Sequence, residues 1–577
     1  MAVTAPPREP SPDAAHTAPG SRGVMSGAVR HSAARAVALA LVATASTAAA
    51  LLLPAVLGHT LDLLLARRGG DASRWVLLCA GLVCVPVVLD ACDELLTATT
   101  AARTTAWLRH RALRDVLAAG PRATARIPQG DLVTRLVGNA AHAGTVPGSL
   151  AGTVAAVAGP LGGIAALALI DPWLAAVFLA GAPVLALLLR SFTRASADSL
   201  TGYQRLQGEL AGRLVEALGG ARTIAAAGTA GRERARVLAP LAALARHGHR
   251  MWKVQGRATS QAATLVPLLQ IAVLAVAGLE LSRGRLSVGD LLAASRYAVL
   301  AAGIGTLVGH LNALVHGRTA VRRLAEVHAL TPTPYGTRRL PPGEGTLRLR
   351  GVRVARGERQ LLHDVDLTVP GGTTVALVGR SGTGKSVLAA VAGRLADPDA
   401  GEVTLDGVDL RELTHEELRR EVGYAFERPA LLGGTIGGTV AFGAFTPAPG
   451  ALTAAARAAC ADDFVRRLPD GYDTPLAAAP LSGGETQRLG LARAFAHAGR
   501  LLILDDATSS LDSVTEHKVT RSLMNDVTAP TRLIVAHRPS TAARADHVAW
   551  LDGGRIRAVG PHEELWHLPQ YRAVFEG

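Results

Sequence analysis

The feature that most limits how this chain can fold is a series of long apolar runs between positions 34 and 312. A backbone inside lipid has no water to bond, and an α-helix satisfies its own N–H and C=O groups within one segment. A helix needs about 20 mostly apolar residues to cross a bilayer. Six stretches qualify, near 34–58, 75–97, 146–170, 173–190, 261–281 and 289–312. Their orientation follows from counting Lys and Arg. The long connections at 103–146 and 190–258 hold 7 and 12, whereas the short ones at 59–74, 171–173 and 282–288 hold 3, 0 and 2. The long basic connections and the amino terminus therefore face the cytoplasm.

Two details of the apolar half carry further information. Gly148 and Gly152, then Gly159 and Gly163, recur at helical spacing in the third stretch. Such spacing lets helix backbones approach closely in lipid, and an Ala/Gly-rich composition produces it by chance as well. In the second stretch, "VVLDACDELL" places Asp90, Asp93 and Glu94 on one helix face. Ionisable groups within a membrane segment mark function by default. Here they either line a wet cavity or pair with an arginine such as Arg296.

The net charge of +14 could suggest nucleic acid. The arginines instead crowd between apolar runs, with few aromatic residues to stack bases, so no nucleic-acid partner is expected. Cys79, Cys84 and Cys92 share one apolar stretch and Cys460 stands far off, which reads as reduced thiols. Residues 1–30, rich in Ala, Pro, Ser and Gly, have the composition of a disordered tail and no signal-peptide core.

Beyond residue 347 the pattern changes to that of a soluble α/β domain. "GRSGTGKS", Gly379 to Ser386, matches G-x-x-x-x-G-K-S between a strand pattern and a helix pattern. Such a loop turns backbone N–H groups onto phosphate oxygens and adds the positive end of a helix. Gly379, Arg380, Ser381, Gly382, Thr383 and Gly384 form the cradle. Lys385 is the charge at the β/γ-phosphates and Ser386 a Mg2+ ligand. The chain has only three lysines, Lys253, Lys385 and Lys518, against 57 arginines. One of them falls at the single position where a broad guanidinium does not fit. Downstream, "LLILDD" ends an apolar run in Asp505 and Asp506. This reads as a buried parallel strand, whose ligands gather at its carboxyl end. Asp505 is then a holder of Mg2+, and Asp506 stands where a base or water-orienting group would face the γ-phosphate.

Between these two sites lies "LSGGETQRLGLARA", starting at Leu481. It resembles the signature motif of ATP-binding-cassette (ABC) proteins, with "SSLD" at 509–512 like the D-loop and His537 in "LIVAHR" like the switch histidine. The order of spans, basic loops and carboxyl-terminal cassette resembles the exporter-type half-transporters. "GDLVTRL" at 130–136 and "EALGGARTIAAAG" at 216–228 look like that family's cytoplasmic coupling regions. The resemblance implies an all-α six-helix membrane domain (31–328), a linker (329–346) and an α/β P-loop ATPase domain (347–577). It further implies a multi-pass protein of a bacterial cytoplasmic membrane, with the ATPase domain in the cytoplasm. ATP and Mg2+ are the implied cofactors. The implied partners are membrane lipid, a second half-transporter and a small-molecule, lipid or peptide cargo. In that family each ATP lies between one chain's P-loop and the other's signature, here Ser482, Gly483 and Gly484.

Three residues depart from the family pattern. Asp506 replaces the usual Glu, and Glu427 replaces the Gln of the loop that couples to the membrane domain and contributes to the metal site. Arg356 takes the place of an aromatic residue that stacks on adenine. Asp is shorter than Glu by roughly 1.5 Å, and a misplacement of about 1 Å can cost on the order of 100-fold in rate. The set reads as a degenerate ATP site, with Asp506, His537 and Glu427 as its catalytic positions and an intact signature serving a competent partner chain. A symmetric homodimer and an exporter-fold importer of siderophore-like cargo are the alternatives.

Overall fold

The computed structural model describes residues 19–66, 69–124, 127, 129–303, 305–357, 359–527 and 530–576. The chain forms two compact units, Met1–Asp115 with Ile127–Ala329, and Val116–Arg126 with Leu330–Gly577.

The first unit is helical: α1 (Pro19–His31), α2 (Ala33–Leu65), α3 (Gly69–Thr124), α4 (Gln129–Thr134), α5 (Ala140–Gly144), α6 (Val146–Ile170), α7 (Pro172–Gly219), α8 (Ala221–Ala226), α9 (Ala230–Leu238), α10 (Leu241–Ser282), α11 (Val288–Ala301) and α12 (Gly305–His328). A π-helical turn, Arg135–Asn139, joins α4 to α5. Positions 1–18 of the expected tail lie outside the described residues. Positions 19–31 are not a tail but a helix, because Val24 and Ala28, four residues apart, bury one face as α1 packs on α12. Four helical stretches among the described residues are long and apolar enough to cross a membrane: Ala33–Leu65, Ser73–Pro121, Gly130–Ile170 and Ala263–Ser282. The stretch expected at 173–190 begins α7, where Pro172–Val184 is a shorter apolar helix. The stretch expected at 289–312 is interrupted, since α11 stops at Ala301 and α12 starts at Gly305.

Close packing in this unit rests on small residues. A Cβ on Gly58 of α2 would fall 2.4 Å from the carbonyl oxygen of Gly289, and one on Gly289 of α11 would fall 2.1 Å from that of Gly58. The two backbones therefore touch. Asp62, one turn further along α2, accepts hydrogen bonds from Ser287 Oγ (2.6 Å) and Gly289 N (2.8 Å), which clamps the start of α11. Of the four spaced glycines singled out on α6, Gly163 admits Ala301 N (a Cβ would be 2.8 Å away) and Gly152 the His310 ring. Gly148 and Gly159 meet nothing nearer than 3.5 Å, so only half of that spacing is packing.

The second unit holds a six-stranded sheet, in the order β10-β9-β3-β8-β7-β6, and a four-stranded sheet, β2-β1-β4-β5. The strands are β1 (Leu347–Arg356), β2 (Arg359–Val369), β3 (Thr374–Val378), β4 (Ala400–Leu405), β5 (Val408–Asp409), β6 (Val422–Phe426), β7 (Leu501–Asp505), β8 (Thr531–Val535), β9 (His547–Asp552) and β10 (Arg555–Gly560). β3 and β8 are buried at every position, as central strands of a parallel sheet are, with Thr374, Thr531 and Arg532 buried alongside the apolar residues. Residues 330–346, expected as a linker, belong to this unit. Leu340 enters its core, and Arg394 lies under the Tyr335 ring at 4.7 Å. The end of α3 belongs to it as well. Gly120 (φ +77°) breaks the helix there, and Thr333 N donates to Ala118 O at 3.2 Å.

Candidate nucleotide site

Parallel pairing brings the expected site residues together. β6, β7, β8 and β3 run side by side, with Asp505 opposite Phe426 on one flank and Val535 on the other, and Leu377 opposite Val535. Their carboxyl ends therefore share one edge. Gly379 follows β3, Glu427 follows β6, Asp506 follows β7 and His537 follows β8. This is the edge where open parallel sheets bind ligands.

The loop Gly379–Gly384 turns tightly into a helix, α13 (Lys385–Ala392). Gly384 caps that helix at φ +103°, a conformation glycine alone adopts without strain. A Cβ on Gly379 would fall 2.3 Å from Leu551 O. Lys385, only 6% exposed, donates from Nζ to the loop's own carbonyls, Gly379 O at 2.7 Å and Arg380 O at 3.1 Å. Burial pushes its ammonium below the ordinary lysine range, against the opposing pull of Asp506 and Asp505.

Ser386 Oγ donates to Asp505 Oδ1 at 2.9 Å. Tyr424 OH, at 3.4 Å, faces the other carboxylate oxygen. Burial raises the Asp505 carboxyl above its usual range, outweighing these bonds. A hard divalent cation would relieve that charge. A hydroxyl and a carboxylate at one point are the two protein oxygens that Mg2+ accepts while keeping waters and phosphate for its other positions. The donor set fits Mg2+.

Asp506 has a left-handed backbone (φ +53°), and its carboxylate lies 3.7 Å from His537 Nε2. The half-exposed Glu427 carboxylate pairs with Arg428 at 3.6 Å and lies near enough to Asp505 for its charge to add to the rise of that carboxyl. The main-chain carbonyl of Glu427 accepts from Gln487 Nε2 at 3.0 Å. Gln487, 1% exposed, also donates to Ser509 Oγ at 3.0 Å and accepts from Ser510 N at 2.8 Å. One buried amide thus ties the loop after β6 to the loop after β7. Arg356 ends β1 at an exposed hairpin, while Leu362 of the paired strand packs on Gly384.

"LSGGE" reads structurally as a capping box. Ser482 Oγ accepts from Glu485 N, and the Glu485 carboxylate accepts from Ser482 N at 2.8 Å, at the head of the helix Gly483–Ala496. That main-chain bond holds the Glu485 carboxyl below its usual range. Ser482, Gly483 and Gly484 present an exposed helix amino terminus. Their own chain's P-loop is not among the hydrogen-bond partners of Ser482.

With this geometry in hand, two family models match the chain: "ABC transporter" over residues 362–509 and "ABC transporter transmembrane region" over 37–302. The chain is 58% identical over 536 residues to the ABC transporter ATP-binding protein RamA of Streptomyces coelicolor, covering 93% of this chain and 84% of that one.

The chain is an ABC transporter.

It is also 36% identical over 400 residues to the multidrug efflux ATP-binding/permease protein Rv0194 of Mycobacterium tuberculosis, covering 68% of this chain and 33% of that protein. A bacterial Atm1-family ABC exporter solved with ATP bound shares its fold, with TM-score 0.80, 24% identity and coverage of 95% and 98% of the two chains. The transporter thus joins a membrane domain to an ATP-binding, ATP-hydrolysing cassette in one half-transporter chain of exporter type. Tyr424 and Gln487 were missed by sequence reasoning. Gln487 was legible in principle, as a polar residue inside the signature run on a face that is otherwise apolar.

Proposed function

We propose that this transporter is one half of an ATP-driven exporter dimer whose own composite ATP site binds nucleotide more readily than it turns it over. In this reading Gly379–Gly384 and Lys385 take the ATP phosphates, and Ser386 with Asp505 holds Mg2+. Ser482, Gly483 and Gly484 close over the nucleotide on the second half-transporter. The observation that carries the reading is Asp506, one methylene short of the usual Glu, in a left-handed backbone and turned toward His537 at 3.7 Å. That same approach favours a second reading, a homodimer in which Asp506 and His537 work together. The cargo is a small molecule, lipid or peptide; the likeness to the mycobacterial multidrug efflux protein supports export.

The decisive measurement is ATP turnover of the reconstituted chain, alone and with a co-purifying half-transporter. Ser482→Ala should strongly reduce turnover of the pair, and Asp506→Asn should change it little. Brisk turnover by the chain alone that Asp506→Asn abolishes would establish the homodimer instead. Mg2+–ATP binding that survives Lys385→Ala unchanged would remove the phosphate role of Lys385.

A further inference from the structure

One buried carboxylate stands between the two loops that carry Asp506 and His537. Glu516 lies in the first turn of the helix Ser513–Asn525. Asp512 fixes the start of that helix by accepting from Val514 N at 3.0 Å and Thr515 N at 2.9 Å. The Glu516 carboxylate accepts from side chains of both loops. The guanidinium of Arg538, the residue after His537, pairs with Oε2. Thr541 Oγ1, in the short helix Pro539–Ala542, donates to Oε1 at 3.3 Å. Thr508 Oγ1, two residues past Asp506, faces the same oxygen at 3.5 Å.

The pair is unequal. A carboxylate taken out of water is costly unless it is paired and hydrogen-bonded. The Glu516 side chain is 10% exposed and needs the guanidinium; that of Arg538 is 45% exposed and is solvated without Glu516. Glu516 therefore draws Arg538 inward, and with it the main chain that carries His537. Both turns are closed by their own bonds. Thr541 N and Ala542 N donate to Arg538 O at 3.1 and 3.2 Å, while Ser509 N donates to Asp506 O at 3.3 Å and Leu511 N to Thr508 O at 3.1 Å. Between the turns, the Asp506 carboxylate and His537 Nε2 stand 3.7 Å apart. Sheet order makes β7 and β8 neighbours, but it does not hold the residues beyond their ends.

We propose that Glu516 is a positioning residue for the γ-phosphate end of the nucleotide site: through Arg538 it holds His537, and through the turn at Thr508 it holds Asp506. The inference rests on reading Gly379–Ser386 as the phosphate cradle, and it gives Glu516 a part played wholly through its neighbours. Main-chain N–H groups of the cradle and Lys385 take the other phosphates without help from Glu516. Its loss is therefore felt by ATP and not by ADP.

Equilibrium titration of Mg2+–ADP and of the non-hydrolysable Mg2+–AMPPNP on the purified full chain tests this, whatever the turnover rate of the site. The unmodified chain should prefer the triphosphate. Glu516→Gln, which keeps the shape and drops the charge that draws in Arg538, should lower that preference about 10-fold, the worth of one hydrogen bond to a charged group, with ADP affinity held within about twofold. Glu516→Gln combined with Arg538→Met should show the same reduced preference. Arg538→Met alone should melt lower than that double variant, because it leaves Glu516 buried and unpaired; equal melting temperatures would show that Arg538 does not answer to Glu516 and overturn the proposal. An unmoved preference in Glu516→Gln overturns it too. So does loss of both nucleotides together in that variant, which would make Glu516 a prop for the whole fold. Equal affinity of the unmodified chain for both nucleotides overturns it whatever the variants do. Nucleotide binding that Lys385→Ala leaves unchanged would sink the cradle reading instead, so the two failures are told apart.

Discussion

Gln487 offers the sharpest test of how the cassette is held together. Its side chain makes three good hydrogen bonds, to Glu427 O, Ser509 Oγ and Ser510 N, at 3.0, 3.0 and 2.8 Å. Each is worth about 1 kcal/mol net, so Gln487→Leu, which keeps the bulk and removes the bonds, should cost about 3 kcal/mol. The Glu427, Ser509 and Ser510 positions are exposed, so water can replace part of that loss and the figure is an upper one. At about 1.4 kcal/mol per factor of ten, local opening of residues 506–512 should rise by up to about 100-fold. Hydrogen–deuterium exchange of the full chain in nanodiscs reads this directly, through the peptide spanning β7 and the following loop. Exchange there should accelerate while β3 and β8 stay protected. If the 506–512 peptide is unchanged and the helix Gly483–Ala496 loosens instead, Gln487 acts by filling space and the hydrogen-bond argument fails.

Other substitutions probe single causes. Asp505→Asn should weaken Mg2+–ATP binding yet raise the melting temperature near neutral pH. Burial lifts this carboxyl, so its stabilising contribution belongs to the protonated form and is lost as pH rises through the raised pKa; an unchanged or lower melting temperature refutes the desolvation argument. Gly289→Ala should destabilise the membrane unit by about 3 kcal/mol or more, because its Cβ meets backbone that cannot yield; a thermal shift in detergent checks it. The Glu485 carboxyl is held low, so its stabilising contribution is present above its unfolded pKa and lost as pH falls through the folded one. Glu485→Gln keeps a capping partner and should flatten that acid dependence of unfolding without removing the helix.

What the sequence made legible depended on how local its cause is. The P-loop could be read because a tight turn, a helix start and one lysine lie within eight residues, Gly379–Ser386. Asp505 could be read because a buried strand has to end somewhere. The signature is equally local, since its Ser and Glu satisfy each other. The crossing of Gly58 on Gly289 could not be read: it depends on two backbones meeting across more than 200 residues, and each glycine alone looks like any other in a Gly-rich chain. Asp506 and His537 carry the same lesson. Their nearness comes from β7 and β8 being neighbours, a matter of sheet order, and the left-handed turn at Asp506 sets the direction of its carboxylate. On α3 the periodicity located an acidic face, but that Asp90 and Asp93 line a cavity with His310 of α12, and Glu94 does not, was decided by packing between helices.

The break at Gly120 has a consequence for how the protein is made. The turn beyond Val116 belongs to the same compact unit as Leu330 and everything after it. A ribosome adding roughly 5–20 residues per second delivers that turn some 10–40 s before Leu330 emerges. Until then its partner Thr333 does not exist, and most of a membrane domain must be inserted in the interval. A gene fragment starting at residue 330 would encode a cassette without this piece, leaving Thr333 N without its acceptor, Ala118 O. The natural unit of expression is therefore the whole chain, and excised cassettes should prove less soluble than those carrying residues 116–126 through a designed linker.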